Sequence, residues 1–230
     1  MIRCNGVHHL AVCTADIKAQ IEFFNDVLGM ELVALYWMHG VEGAWHGFLK
    51  LEDRSYLAFV QTPEIEKLER VLGVSHSGSP GAPSAGGTMQ HLAFNVDSFA
   101  ELLAMRDRIR SRGVSVIGPI HHGLCDSIYF AGPEDLSLEV ATSEQAIDGR
   151  AWIDPEVVAL AGISAAELER FRRPVDFASQ GGGLRQPPVD PSKPRMRGWP
   201  AGVYEHFEAM PDETFTATMS ETEPPVRVES

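Results

Sequence analysis

Three side chains, His9, His91 and Glu139, have the types needed to bind a cation together if the fold brings them to one place. Glu139 is the conspicuous one. Its neighbours Leu136, Leu138 and Val140 are apolar, and a carboxylate in such a strand is costly to bury unless it meets a cation or hydrogen-bond donors. Two imidazoles and one carboxylate with open positions beside them suit non-haem Fe(II), whose vacant sites can take a chelating substrate and O₂; Mn(II) accepts the same nitrogen and oxygen donors. His121 and His122 stand upstream of Glu139 in a polar loop, and Tyr129 stands on the short strand between loop and carboxylate. Pro133 suits the second position of a turn, so the strands through Tyr129 and Glu139 are expected to pair as a hairpin.

The elements that must position these residues occur twice. Val7 to Cys13 alternates as a strand with His9 in the middle of one face. Thr14 is the expected N-cap of an amphipathic helix carrying Ile17, Ile21, Phe24 and Leu28, with Gly29 as its left-handed C-cap. Met30 to Trp37, Trp45 to Leu51 and Tyr56 to Gln61 follow as strands, giving the order βαβββ. Met89 to Val96 starts the second copy, with His91, Ala93 and Asn95 on one face. Asp97 or Ser98 can cap a helix through Phe99, Leu102, Leu103, Met105 and Ile109, closing at Gly113. Val114 to Ile117, Ser127 to Ala131 and Leu136 to Ala141 complete the same order. His9-Leu10-Ala11-Val12 and His91-Leu92-Ala93-Phe94 are matching phrases of this internal repeat. Aligning the closing strands puts Ala58 opposite Glu139, so only the second copy carries the carboxylate.

The expected architecture is α+β: two paired βαβββ modules forming a curved, cup-like mixed sheet, with an irregular C-terminal extension. The modules span 5–62 and 88–142. A Gly/Ser/Pro-rich linker covers 63–87, beginning with a short helix over Thr62 to Leu72. From 143 to 230 the chain is expected to wrap rather than fold alone. Ser164 to Arg172 is a helix capped by Ser164, Gln180 to Gly198 is too rich in Gly and Pro for a regular element, and the final twenty residues are acidic and mobile. Arg172, Arg173 and Trp199 are read as surface packing.

Composition removes whole classes of partner. The chain has 230 residues, 44% of them hydrophobic, enough for a real core. Its 32 acidic against 19 basic residues give a net charge of -13, which repels phosphate backbones and anionic lipids. Nucleic acid and membrane partners are therefore not expected. Cys4, Cys13 and Cys125 form no CxxC spacing and suggest neither a disulfide framework nor a zinc finger, in keeping with a reducing cytoplasm.

The paired βαβββ units, the run Phe23-Phe24-Asn25-Asp26-Val27-Leu28-Gly29-Met30 and the closing Leu138-Glu139 strand resemble the vicinal oxygen chelate superfamily of glyoxalases, epimerases and extradiol dioxygenases. Within it, Ile120, His122, Ile128, Tyr129, Pro133 and Glu139 are similar to the type I extradiol ring-cleaving signature, from which Gly132 and Asp135 depart. The resemblance covers residues 5 to 142. It implies His9, His91 and Glu139 as Fe(II) ligands, His122 as an acid or hydrogen-bond donor, and Tyr129 as a contact to a substrate hydroxyl. Such enzymes usually carry one more histidine before the closing strand of the first module, where Ser55 and its neighbours stand; His39 and His46 lie earlier in that module, and His46, on a strand with Trp45 and Phe48, is the preferred candidate to replace it. The resemblance further implies a small aromatic diol and O₂ as substrates and a symmetric homo-oligomer.

Two other functions use the same fold. A glyoxalase- or epimerase-like enzyme commonly takes a carboxylate from the closing strand of each module, and Ala58 denies the first module its own. A metal-free protein that sequesters small molecules has no need for His9, His91 and Glu139 in register.

Overall fold

The computed structural model describes residues 3–179, 181 and 183–228. Residues 4–175 form one compact unit, and the chain from Asp176 onwards belongs to a second.

In the larger unit, the first module consists of β1 (His9–Cys13), α1 (Ile17–Leu28), β2 (Glu31–Trp37), β3 (Trp45–Glu52) and β4 (Ser55–Gln61). The second repeats it as β5 (Leu92–Asn95), α2 (Phe99–Ser111), β6 (Val116–His121), β7 (Asp126–Ala131) and β8 (Ser137–Thr142). Each module forms a four-stranded mixed sheet, in the orders β1-β4-β3-β2 and β5-β8-β7-β6, so the expected α+β repeat is present. The first strand of each copy pairs in parallel with the last, and the other pairs are antiparallel.

The registers make the repeat quantitative. Ala11 pairs with Ala58 in the first sheet, and Ala93 pairs with Glu139 in the second. Each alanine lies two residues after its histidine, so Ala58 and Glu139 hold the same place. His91 itself falls just before β5 rather than inside it.

The two modules share one core, because the apolar stripe of each helix needs more than its own small sheet to cover it. Phe24 of α1 is fully buried, with its ring 5.4 Å from Phe59 and 6.2 Å from Phe94 of the other module. The second module also holds both ends of α1. At the N-terminus the Glu134 carboxylate accepts hydrogen bonds from Thr14 Oγ1 at 2.6 Å, the Ala15 amide at 2.9 Å and Gln20 Nε2 at 2.8 Å. At the C-terminus Arg108 donates from Nε to the Val27 carbonyl at 2.9 Å and from Nη2 to the Asp26 carbonyl at 3.0 Å. An anion at the amino end and a cation at the carboxyl end both match the helix dipole.

Several expected boundaries move. Thr14 does not cap α1; Asp16 does, accepting from the Ala19 amide at 3.0 Å, while Thr14 turns to Glu134. Gly29 closes the helix at φ 79° as expected. Thr62 to Leu72 yields only a 3-10 turn at Ile65–Lys67, because Leu68, Val71 and Leu72 are exposed and offer no apolar face to bury.

After β8 come α3 (Gly149–Trp152), α4 (Pro155–Leu160) and α5 (Ala165–Arg172), which group with the modules instead of with the rest of the extension. α5 has a full capping box between Ser164 and Glu167. Arg172 and Arg173 serve local contacts, to the Gly149 carbonyl at 3.3 Å and Glu169 at 2.9 Å. The second unit contains α6 (Val203–Ala209), in a stretch where no helix was expected, and α7 (Asp212–Met219), within the final twenty residues that were expected to be mobile. Trp199, Phe207 and Phe215 link them through edge-to-face pairs with ring centres 5.3 and 5.5 Å apart, although neither helix has a buried residue. Among the described residues, no helix is long and apolar enough to cross a membrane.

Candidate active site

The face of the second sheet turned away from α2 collects most of the expected site. Tyr129 on β7 pairs with Glu139 on β8, which pairs with Ala93 on β5. Alternation along three strands therefore aims Tyr129 and Glu139 to one side, and His91 joins them from the end of β5. His91 Nε2 lies 2.9 Å from Glu139 Oε2, and His122 Nε2 lies 2.9 Å from the Tyr129 hydroxyl. Glu139 is 5% exposed, so its awkward place in an apolar strand is answered first by an imidazole. Burial, together with the Glu139 charge, raises the Tyr129 pKa above the usual phenol value even though a Ser127 contact opposes it. The phenol stays protonated and available as a donor.

The loop carrying His122 is held by its own backbone and by the chain that follows β8. The His122 amide donates to the Cys125 carbonyl at 2.9 Å, and Ser143 Oγ donates to the Leu124 carbonyl at 2.9 Å. Trp152 closes over Gly123, whose φ of 83° suits glycine.

His9 and His46 form a separate group on the equivalent face of the first sheet. His46 on β3 is 9% exposed, its ring 6.4 Å from His9 and 4.5 Å from Phe48. Its Nδ1 is 3.4 Å from the Tyr36 hydroxyl, whereas Nε2 is buried without a partner. Burial, then the neighbouring His9, lowers the His46 pKa, so this imidazole is neutral near pH 7. His9 is exposed and has His8 beside it, with the two Nδ1 atoms 3.0 Å apart.

The fit to a metal can be tested on the donors. Two ligands at about 2.1 Å from one ion and at right angles lie roughly 3.0 Å apart, close to the 2.9 Å between His91 Nε2 and Glu139 Oε2. That pair suits two adjacent positions on a divalent cation. His9 does not stand with them: among the described residues, no three His, Cys, Asp or Glu side chains are grouped closely enough to hold a metal ion.

Some residues that shape the site have no place in the sequence reading. Glu134 is one, and Gln90 is another; its side-chain oxygen meets His91 Nδ1. Gln20, fully buried on the apolar stripe of α1, was a legible warning that a polar partner lay opposite. The two departures from the extradiol signature have local causes. Glu134 and Asp135 sit at φ 55° and 62°, a region that Asp tolerates better than most residues, and Asp135 accepts from Arg70 Nε at 3.3 Å. A Cβ at Gly132 would lie 2.7 Å from Leu138 Cδ1 and 3.2 Å from Leu136 Cβ, both buried side chains. Gly132→Ala is accordingly expected to cost about 1–3 kcal/mol by overpacking, read as a lower urea midpoint with an unchanged slope.

Comparison with known proteins places residues 6–140, more than half the chain, within the model of the Glyoxalase/Bleomycin resistance protein/Dioxygenase superfamily. The chain is 26% identical over 132 residues to biphenyl-2,3-diol 1,2-dioxygenase 2 of Rhodococcus globerulus, covering 57% of this chain and 60% of that protein. It is 22% identical over 145 residues to biphenyl-2,3-diol 1,2-dioxygenase 3 of the same organism, covering 61% of this chain and 67% of the relative. Among solved structures, a glyoxylase/bleomycin resistance protein/dioxygenase domain from Frankia sp. EAN1pec matches with a TM-score of 0.47 and 12% identity, over 61% of this chain and 99% of that one.

Proposed function

The chain belongs to the Glyoxalase/Bleomycin resistance protein/Dioxygenase superfamily, and from that premise we propose that it is an Fe(II)-dependent extradiol-type dioxygenase that opens a catechol-like aromatic diol with O₂. The observation that carries this reading is the row His91, Glu139, Tyr129 and His122, joined by contacts of 2.9 Å at each end. It couples two cation donors to a protonated phenol and an imidazole within one sheet face. Partial likeness to two biphenyl-2,3-diol dioxygenases supports the same chemistry.

His91 and Glu139 would hold the metal, and His9, which stands apart from the pair in this structure, would have to move toward them to serve as the third ligand. Bound Fe(II) supplies acidification of the diol hydroxyls and a place where diol and O₂ meet. Tyr129, kept protonated by burial, donates to a substrate oxygen and orients the ring. His122 is exposed and within hydrogen-bond reach of Tyr129, so a proton arriving at the phenol can be exchanged with solvent through its imidazole. His46, neutral and walled by Phe48 and Tyr36, stands with His9 on the first sheet and would accept a proton from a substrate hydroxyl only through its buried, partnerless Nε2. Ala58 stands where a second carboxylate would stand, which favours a three-ligand oxygenase over a four-ligand glyoxalase or epimerase.

The test is anaerobic reconstitution with Fe(II), then oxygen uptake with a panel of catechols, among them biphenyl-2,3-diol. The expected result is uptake of one O₂ per diol with a yellow ring-opened product. Isomerisation of a hemithioacetal without O₂ consumption would overturn the proposal.

A further inference from the structure

Gln90 is wedged between the linker and His91. Its Nε2 donates to the Ser79 carbonyl at 3.1 Å and to the Ala82 carbonyl at 3.2 Å. Two carbonyl acceptors fix which end of the amide is nitrogen, because an amide oxygen in that place would face two other oxygens. Oε1 therefore points the other way, at His91 Nδ1. An amide oxygen only accepts, so Nδ1 must carry the proton. The second nitrogen, Nε2, faces the Glu139 carboxylate at 2.9 Å, which also only accepts. His91 thus stands between two acceptors, and positive charge is needed on its Nε2 side, supplied by a proton or by a cation shared with Glu139.

We infer that Gln90 is a positioning residue that keeps the proton on His91 Nδ1 and turns the Nε2 lone pair toward the cation position beside Glu139. The Gly/Ser/Pro-rich linker is then part of the site. Its turns present the Ser79 and Ala82 carbonyls that orient the Gln90 amide, and Ser77 Oγ bonds the Gln90 carbonyl from the same side. The inference rests on the proposed function only in taking His91 and Glu139 as the metal pair.

Two substitutions separate the jobs of the two ends of the amide. In Gln90→Glu the new carboxylate would still accept from Nδ1 but could not donate to the linker; in Gln90→Leu the side chain would do neither. In the full chain, Gln90→Leu is expected to weaken Zn(II) or Mn(II) affinity by about 10–100-fold, the usual effect of losing the partner of a ligating histidine, with folding retained by circular dichroism. Gln90→Glu is expected to melt at lower temperature than the wild type yet to bind the metal within a few-fold of it. In ¹⁵N-histidine-labelled protein without metal, a proton on His91 Nδ1 is expected in the wild type and in Gln90→Glu, and loss of its resonance in Gln90→Leu. A wild-type His91 with a bare Nδ1, or metal affinity equal in Gln90→Leu and the wild type, would overturn the inference. A protonated Nδ1 in a wild-type protein that binds no divalent metal would instead sink the proposed function and leave the role of Gln90 standing.

Discussion

Glu139→Ala is expected to lose divalent metal and O₂-dependent turnover while remaining folded. The position makes the prediction sharp. Glu139 is buried between Leu138 and Val140, both of which are nearly inaccessible, and it is the carboxylate partner of His91. Losing one of the side chains that bind a divalent cation is expected to cost roughly 10²–10⁴ in metal affinity, or about 3–5 kcal/mol. The fold has less to lose, because burying a carboxylate is itself unfavourable; the alanine variant is expected to melt close to the wild type when both are free of metal. Glu139→Gln keeps the shape and removes the charge, and is expected to behave like the alanine variant. Equilibrium dialysis with Fe(II) under argon measures the affinity directly. Stoichiometric metal in either variant would refute Glu139 as a ligand and, with it, the explanation of why a carboxylate occupies that strand.

The parts of this architecture that follow a period were legible. The alternation in Val7 to Cys13 and the stripe Ile17, Phe24, Leu28 placed β1 and α1, because each depends on neighbours within a turn or two. The equivalence of Ala58 and Glu139 was legible for the same reason, since the repeat transfers register from one copy to the other, and the strand pairings bear it out. What escaped depends on contacts between distant segments. Thr14 looks like a helix cap by every local rule, yet Glu134, 120 positions away along the chain, takes its hydroxyl, and Asp16 caps in its place. The linker looked like a passive connector because Gly, Ser and Pro have little to bury, but its value lies in backbone carbonyls, which carry no residue-specific mark. α6 and α7 were hidden by an acidic composition in which three spaced aromatic rings pair edge to face.

The site itself was legible in its second half and not in its first. Glu139 and Tyr129 lie on adjacent strands of one sheet, with His91 just before β5 and His122 in the loop after β6, so spacing alone brings them near. His9 comes from the other module, whose helix α1 is held at its two ends by Glu134 and Arg108 of the second module. No local pattern encodes that grip. The geometry gives His9 and His46 to one sheet face and the four remaining residues to another, and the chemistry assigned to the first group depends on that packing.

The division leads to an expected result for His122. It touches neither His91 nor Glu139; its contact is the Tyr129 hydroxyl at 2.9 Å. His122→Ala is therefore expected to bind metal with wild-type affinity and to lose about 10²–10⁴ in kcat, the usual contribution of a positioned acid or base. Tyr129→Phe removes the other end of the same contact and is expected to raise KM as well, since the phenol also orients the diol. If the two work as one proton path, the double variant should be scarcely slower than His122→Ala alone, because residues that act as a unit are strongly non-additive. Multiplying effects would mean that His122 and Tyr129 act independently, with His122 serving only to hold the loop closed by Trp152. Steady-state rates on one catechol, with metal content measured in each variant, decide between these outcomes, and a His122→Ala enzyme as fast as the wild type would remove His122 from the chemistry altogether.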